Sequence, residues 1–215
     1  MKNFYSTLAL SLFISLSAQA QNPTTKADTS VVNPVKIPSD FSPEQQAQLN
    51  NLLKDQNYFE FYDKIKNANI PTESYIKYLV SKKNEGHVPV FWLMAEHYAK
   101  INNPLEAHKW LYIAVIMTQQ DSFLCSDPTA KFAPQKLNRQ FGVAFDIARK
   151  TPQYIQPAMR EVIYFMDNLK ERSDPKWACV FGDNYETYSQ KTVSKSIWKI
   201  KREEIYKKFI ADYQK

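Results

Sequence analysis

Glycine is almost missing from this chain: Gly86, Gly142 and Gly182 are the only three in 215 residues. A loop that cradles phosphate with backbone N–H groups needs several glycines close together, so neither a P-loop nor a dinucleotide fingerprint can be assembled here. Cysteine is equally sparse, with Cys125 and Cys179 alone, and no C-x-x-C redox pair exists. An apolar run lies near the N-terminus, between Leu8 and Leu16, and it is too short to span a bilayer. No G-x-S-x-G elbow is present, which leaves serine-hydrolase chemistry without its usual turn.

The run from Leu8 to Leu16 follows Lys2 and ends in Ser17, Ala18, Gln19, Ala20. A charged start, a short apolar segment and an A-x-A site together predict a cleaved signal peptide over residues 1–20. Position 21 is Gln rather than Cys, so a lipid-anchored product is not expected. The chain is therefore expected to be soluble after cleavage, in a bacterial periplasm or secreted. Residues 21–41 are polar, are broken by Pro23, Pro34 and Pro38, and read as a flexible leader. In an oxidising compartment two cysteines predict one disulfide, Cys125 to Cys179, worth about 4 kcal/mol in the chain-entropy account.

Residues 42–215 read as one all-α domain, with helical hairpins over 42–120 and further helices over 121–215. Ser42, Pro43 and Gln45 make a capping box with Pro at the first helical position. Two short helices follow, one carrying Tyr58, Phe61, Tyr62 and Ile65, the other opening at Pro71 and ending at Gly86. The strongest pattern lies between Pro89 and Thr118. Phe91, Met94, Ala95 and Tyr98 share one helical stripe, Asn102 and Asn103 stop it, and Asn103, Pro104 and Glu106 restart a second helix through Ala107, Leu111 and Ala114. Helices are further expected over about 134–149, 152–171 and 186–213, the last spacing Val193, Ile197, Ile200, Ile205 and Phe209 on one side and lysines on the others.

Over residues 89–118 this hairpin resembles the Sel1-like and tetratricopeptide repeats, with Ala107, Trp110 and Ala114 giving the A-x-x-W-x-x-x-A of the Sel1-like unit. It departs from them where Asn102, Asn103 and Pro104 replace a Gly-rich turn, and where no closing Pro or Gly follows Thr118. The resemblance implies a short superhelical stack of hairpins whose concave face binds another protein. Carried onto this chain, it assigns partner contact to Trp92, Glu96 and Lys100, an i, i+4, i+8 stripe expected to face outward.

No cofactor and no metal is expected. His87, His97 and His108 are close in sequence, but the last two fall on successive helices without the i, i+4 spacing of a helical zinc site. Glu73 and Ser74 echo the Glu-Ser of exported transglycosylases, yet the segment such enzymes place downstream is missing, so no catalytic residue is assigned. The net charge of +6 concentrates toward the C-terminus, where a basic helix could meet a membrane surface; a solvated face is the expected role. An export signal argues against nucleic acid as partner. By analogy, a compact exported binder with one disulfide has the profile of an inhibitor or immunity protein acting on an envelope toxin or enzyme. An adaptor for an envelope assembly and a peptidoglycan-cleaving enzyme are the alternatives.

Overall fold

The computed structural model describes residues 40–184 and 191–213. The signal peptide, nearly all of the leader and the start of the expected last helix lie outside the described residues. Ten α-helices occur among them. They are α1 Pro43–Lys54, α2 Tyr58–Asn67, α3 Thr72–Lys82, α4 Val88–Lys100 and α5 Pro104–Ser122, followed by α6 Ala133–Gln140, α7 Gly142–Lys150, α8 Ile155–Asn168, the single turn α9 Lys176–Cys179 and α10 Trp198–Tyr213. No strand occurs among the described residues; Cys125 and Thr192 form an isolated antiparallel bridge.

The local chemistry read from the sequence sets several boundaries. Ser42 Oγ accepts from Gln45 N at 3.1 Å while Ser42 N donates to Gln45 Oε1 at 2.8 Å, closing the capping box ahead of α1. After α3 a 3-10 turn, Lys83–Glu85, runs into Gly86 at φ +68°. A side chain at Gly86 would collide with the Glu171 carbonyl, and Ser173 donates to the Gly86 carbonyl from both N and Oγ. This glycine therefore serves a close backbone crossing as well as a helix stop. Asn103 Oδ1 caps α5 by accepting from Glu106 N. Glu106 does not complete a box: its carboxylate accepts from Trp110 Nε1 and Lys109 Nζ, both at 2.8 Å.

Helices α4 and α5 pack on each other along most of their length, with Ala95, Ala107 and Ala114 fully buried between larger neighbours. The core then extends around them. Helix α3 lies against α4, while α6, α7, α8, α9 and α10 all reach α5. Both central helices are consequently buried on nearly every side. In α4 the buried set is Val88, Val90 to His97 and Ala99, which is the behaviour of a helix apolar around its circumference.

Three expectations need correction. The expected helix over 134–149 is broken at Phe141, which turns inward to pack on Trp92 and leaves α6 and α7 as separate pieces. Residues 191–194 are not helical, and a 3-10 turn, Lys195–Ile197, leads into α10: Ser126 N donates to the Lys191 carbonyl and Val193 N to the Leu124 carbonyl, both at 2.8 Å, beside the Cys125–Cys179 disulfide. The expected apolar face of α10 holds at Phe209 but not at Ile200. Ile200 is 57% exposed, whereas Tyr206, Phe209, Ile210 and Tyr213 pack on the core and Arg202 points into it. The disulfide itself forms as expected, across 54 residues.

Candidate functional site

The turn between α1 and α2 bends sharply, with Gln56 at φ +56°, and delivers α2 with an aromatic cluster at its start. Tyr58 and Phe61 point into the core, Tyr62 is half-buried, and Phe59 is left 65% exposed. Opposite this edge lie Trp177 of α9 and Phe181 just beyond it, with ring centroids 6.1 Å apart, and Phe141 between α6 and α7. Together these groups border an open groove of about 580 Å³. Its floor is Trp92.

The two tryptophans are oriented by their polar atoms. Trp92 Nε1 donates to Thr118 Oγ1 at 2.9 Å, and Trp177 Nε1 donates to Asp121 Oδ2 at 2.8 Å. A buried indole N–H needs a partner, and both find one on α5, deep in the core. Trp92 stacks on Phe141 with centroids 5.2 Å apart, Tyr62 meets Phe141 edge-on at 5.6 Å, and Tyr58 meets Trp177 edge-on at 6.2 Å. Tyr58 Oη is engaged by His87 Nδ1 at 2.8 Å, and burial pushes its phenol pKa upward, so it is a neutral wall group. The rim is charged but balanced, with Lys54 and Lys176 against Asp55 and Asp174. Such a surface can bury apolar side chains while orienting them with polar groups at the edge.

A second, smaller hollow of about 150 Å³ lies along the same helix. Glu96, His97, Lys100 and Leu93 of α4 form one side; Tyr62 and Lys66 of α2 and Thr72 and Tyr75 of α3 form the other. Glu96 Oε1 and Lys100 Nζ are paired at 2.8 Å. The His97 ring stacks on Tyr75 with centroids 4.8 Å apart, and burial, assisted by the Lys100 charge, lowers its pKa from 6.5 to about 4. Tyr62 borders both hollows.

The expected outward stripe is thus placed differently. Trp92 is only 1% exposed and Glu96 8%, while Lys100 is exposed. The reason is visible in residues 88–95, where Val90 and Leu93 fill the side of α4 that a surface helix would leave polar. The three residues still lie along one line of α4: Trp92 at the bottom of the groove, Glu96 and Lys100 in the smaller hollow.

The other sequence candidates separate. His87 engages Tyr58, His97 stacks on Tyr75, and His108 Nε2 lies 3.1 Å from Thr151 Oγ1. No cluster of three or more metal-capable side chains occurs among the described residues. Glu73 is exposed on α3 and borders neither hollow. Sequence reasoning missed Tyr58, Phe59, Phe141, Trp177 and Phe181 as groove residues. One signal was available: residues 58–62 carry four aromatics in five positions, more than one face of a helix can bury.

Among the described residues no helix is long and apolar enough to cross a membrane. No family model, curated protein or solved structure matches this chain.

Proposed function

We propose that the chain is an exported protein-binding module which receives a segment of its partner in the aromatic groove, in the role of an inhibitor or immunity protein that neutralises an envelope-acting toxin or enzyme. The groove carries this reading. It is open, it has room for several side chains at about 580 Å³, and its aromatic lining is of the kind that dominates binding energy at protein interfaces. Phe59 at its lip is a large apolar group with most of its surface in water, a state that contact with a partner would relieve. Export is supported by the A-x-A leader and by the disulfide. The hairpin α4–α5 supports the repeat resemblance for one unit, and the partner surface follows the Trp92–Glu96–Lys100 line as a floor rather than as an outward stripe.

Phe59→Ala tests the reading because it removes groove surface without touching the core. Parent and variant chains are immobilised and exposed to periplasmic extract of the source bacterium, with captured proteins quantified by mass spectrometry. The expected result is a protein retained by the parent and lost by the variant, with an affinity difference of about 2 kcal/mol or more and unchanged melting. Equal capture by both chains refutes the groove as the contact surface.

A further inference from the structure

The line from Trp92 to Lys100 joins the two hollows, and Tyr62 is their shared wall. Eight residues of α-helix rise about 12 Å, which an extended chain covers in about three to four residues. A segment lying in the groove therefore reaches the smaller hollow with a side chain only a few positions away. What that hollow offers is specific. Two ammonium groups, Lys66 and Lys100, accompany a single carboxylate, Glu96, which is already paired with Lys100 at 2.8 Å. Lys66 is exposed at the mouth and donates to Tyr62 Oη at 3.3 Å.

His97 forms part of the same wall. Its side chain is buried, at 6% exposure, it borders the hollow, and its Nδ1 has no hydrogen-bond partner among the described residues. Thr72 adds a hydroxyl to the same wall.

We infer that the smaller hollow holds a carboxylate, the side chain of an Asp or Glu in the same partner segment that fills the aromatic groove. The inference rests on the groove reading and extends it by naming the partner's chemistry: an apolar or aromatic anchor with an acidic residue three to four positions away. The acid meets Lys66 and Lys100, beside the His97 ring and the Thr72 hydroxyl. The net charge, +6 for the whole sequence and still positive once Lys2 leaves with the signal peptide, favours an acidic partner in the same sense.

A random heptapeptide library displayed on phage is the probe, selected on the full immobilised chain, on Lys66→Met, on Lys100→Met and on Phe59→Ala. On the parent, selected peptides should pair a large apolar residue with Asp or Glu three to four positions away. On Lys66→Met, whose exposed site leaves the fold intact, the acidic preference should fall toward that of the unselected library while the apolar preference remains; Lys100→Met should act likewise. A synthetic selected peptide should bind the parent about tenfold more weakly once its acid is changed to the amide. Apolar selection without acids, or with Lys or Arg in their place, overturns the carboxylate inference and leaves the groove reading standing. No selection above a blank surface, or selection indifferent to Phe59→Ala, overturns both.

Discussion

Two buried carboxylates on neighbouring helices are treated very differently by this fold. Asp121 on α5 is fully enclosed, and both of its oxygens are occupied. Oδ1 accepts from Arg172 Nη2 at 3.0 Å and from Arg202 Nε and Nη2 at 3.0 and 2.8 Å, while Oδ2 accepts from Trp177 Nε1 at 2.8 Å. Arg172 also reaches Gln120 Oε1, and Gln120 Nε2 donates to the Arg202 carbonyl, both at 2.7 Å. Burial lowers the Arg172 pKa to about 10, still far enough above neutrality to keep the guanidinium charged. Glu96 on α4 has one ionic partner, Lys100, and sits beside the smaller hollow and the His97 ring. The first arrangement holds α5, α9 and α10 together, with Arg172 Nε a buried donor that lacks a partner among the described residues; the second is a single ion pair at the edge of a hollow. Buried polar groups that bond one another across helices hold a fold together, whereas an ammonium paired once at the edge of a cavity keeps donors that a ligand can use.

The sharpest way to break this contrast is at Asp121. Asp121→Ala leaves two guanidinium groups and an indole N–H buried without their acceptor, and removing one partner of such a cluster typically costs about 3 to 5 kcal/mol. The midpoint of urea unfolding should fall accordingly, with the largest loss of protection in amide exchange along α10, which Arg202 anchors. A small change in midpoint would mean that the cluster contributes packing rather than charge pairing.

The contrast also explains what could be read from the chain alone. Capping at Ser42 and Asn103, the αL stop at Gly86 and the small-residue contact at Ala107 and Ala114 are local or single-pair effects, and local chemistry is written in adjacent residues. The Asp121 cluster joins positions 51 and 81 residues apart, and nothing in the spacing of Asp121, Arg172 and Arg202 signals that they meet. The orientation of Trp92 failed for a different reason. The stripe Phe91, Met94, Ala95, Tyr98 is one apolar face, and Val90 and Leu93 complete an apolar circumference that calls for a central, enclosed helix. Phe141 illustrates the same limit from the other side, since a helix is interrupted there in order to cover Trp92.

His97 sharpens the comparison through pH. Its folded pKa, about 4, lies below the ordinary 6.5 because burial, and then the Lys100 charge, disfavours the imidazolium. Between those values the unfolded chain binds a proton that the folded chain does not, so stability is full above about pH 6.5 and declines as pH falls toward 4. The shift corresponds to a loss on the order of 3 kcal/mol by the lower limit. His87 and His108 are lowered in the same direction, again chiefly by burial, and add to the slope. His97→Phe keeps the ring against Tyr75 and removes the unpartnered nitrogen. The variant should be at least as stable as the parent near pH 8 and should lose distinctly less stability between pH 6.5 and 4. Parallel slopes of unfolding midpoint against pH for the two chains would show that His97 does not titrate in this window.

The smallest effect on stability is expected at Lys66, which separates the two kinds of charge most cleanly. Its ammonium is exposed, its bond to Tyr62 Oη is long at 3.3 Å, and no buried group depends on it. Lys66→Met should therefore shift unfolding by no more than about 0.5 kcal/mol, the usual range for a surface change. If an acidic segment occupies the adjacent hollow, the same variant should slow association and flatten the dependence of binding on salt, because a rim charge acts mainly on encounter. Asp121→Ala should do the reverse, with a large loss of stability and an unchanged salt dependence of binding wherever the fold persists. Association rates of a selected acidic heptapeptide, measured at low and high salt on both variants, decide between these outcomes. If Lys66→Met leaves rate and salt dependence as in the parent, the charges beside Glu96 and His97 belong to the fold, like those around Asp121, and take no part in recognition.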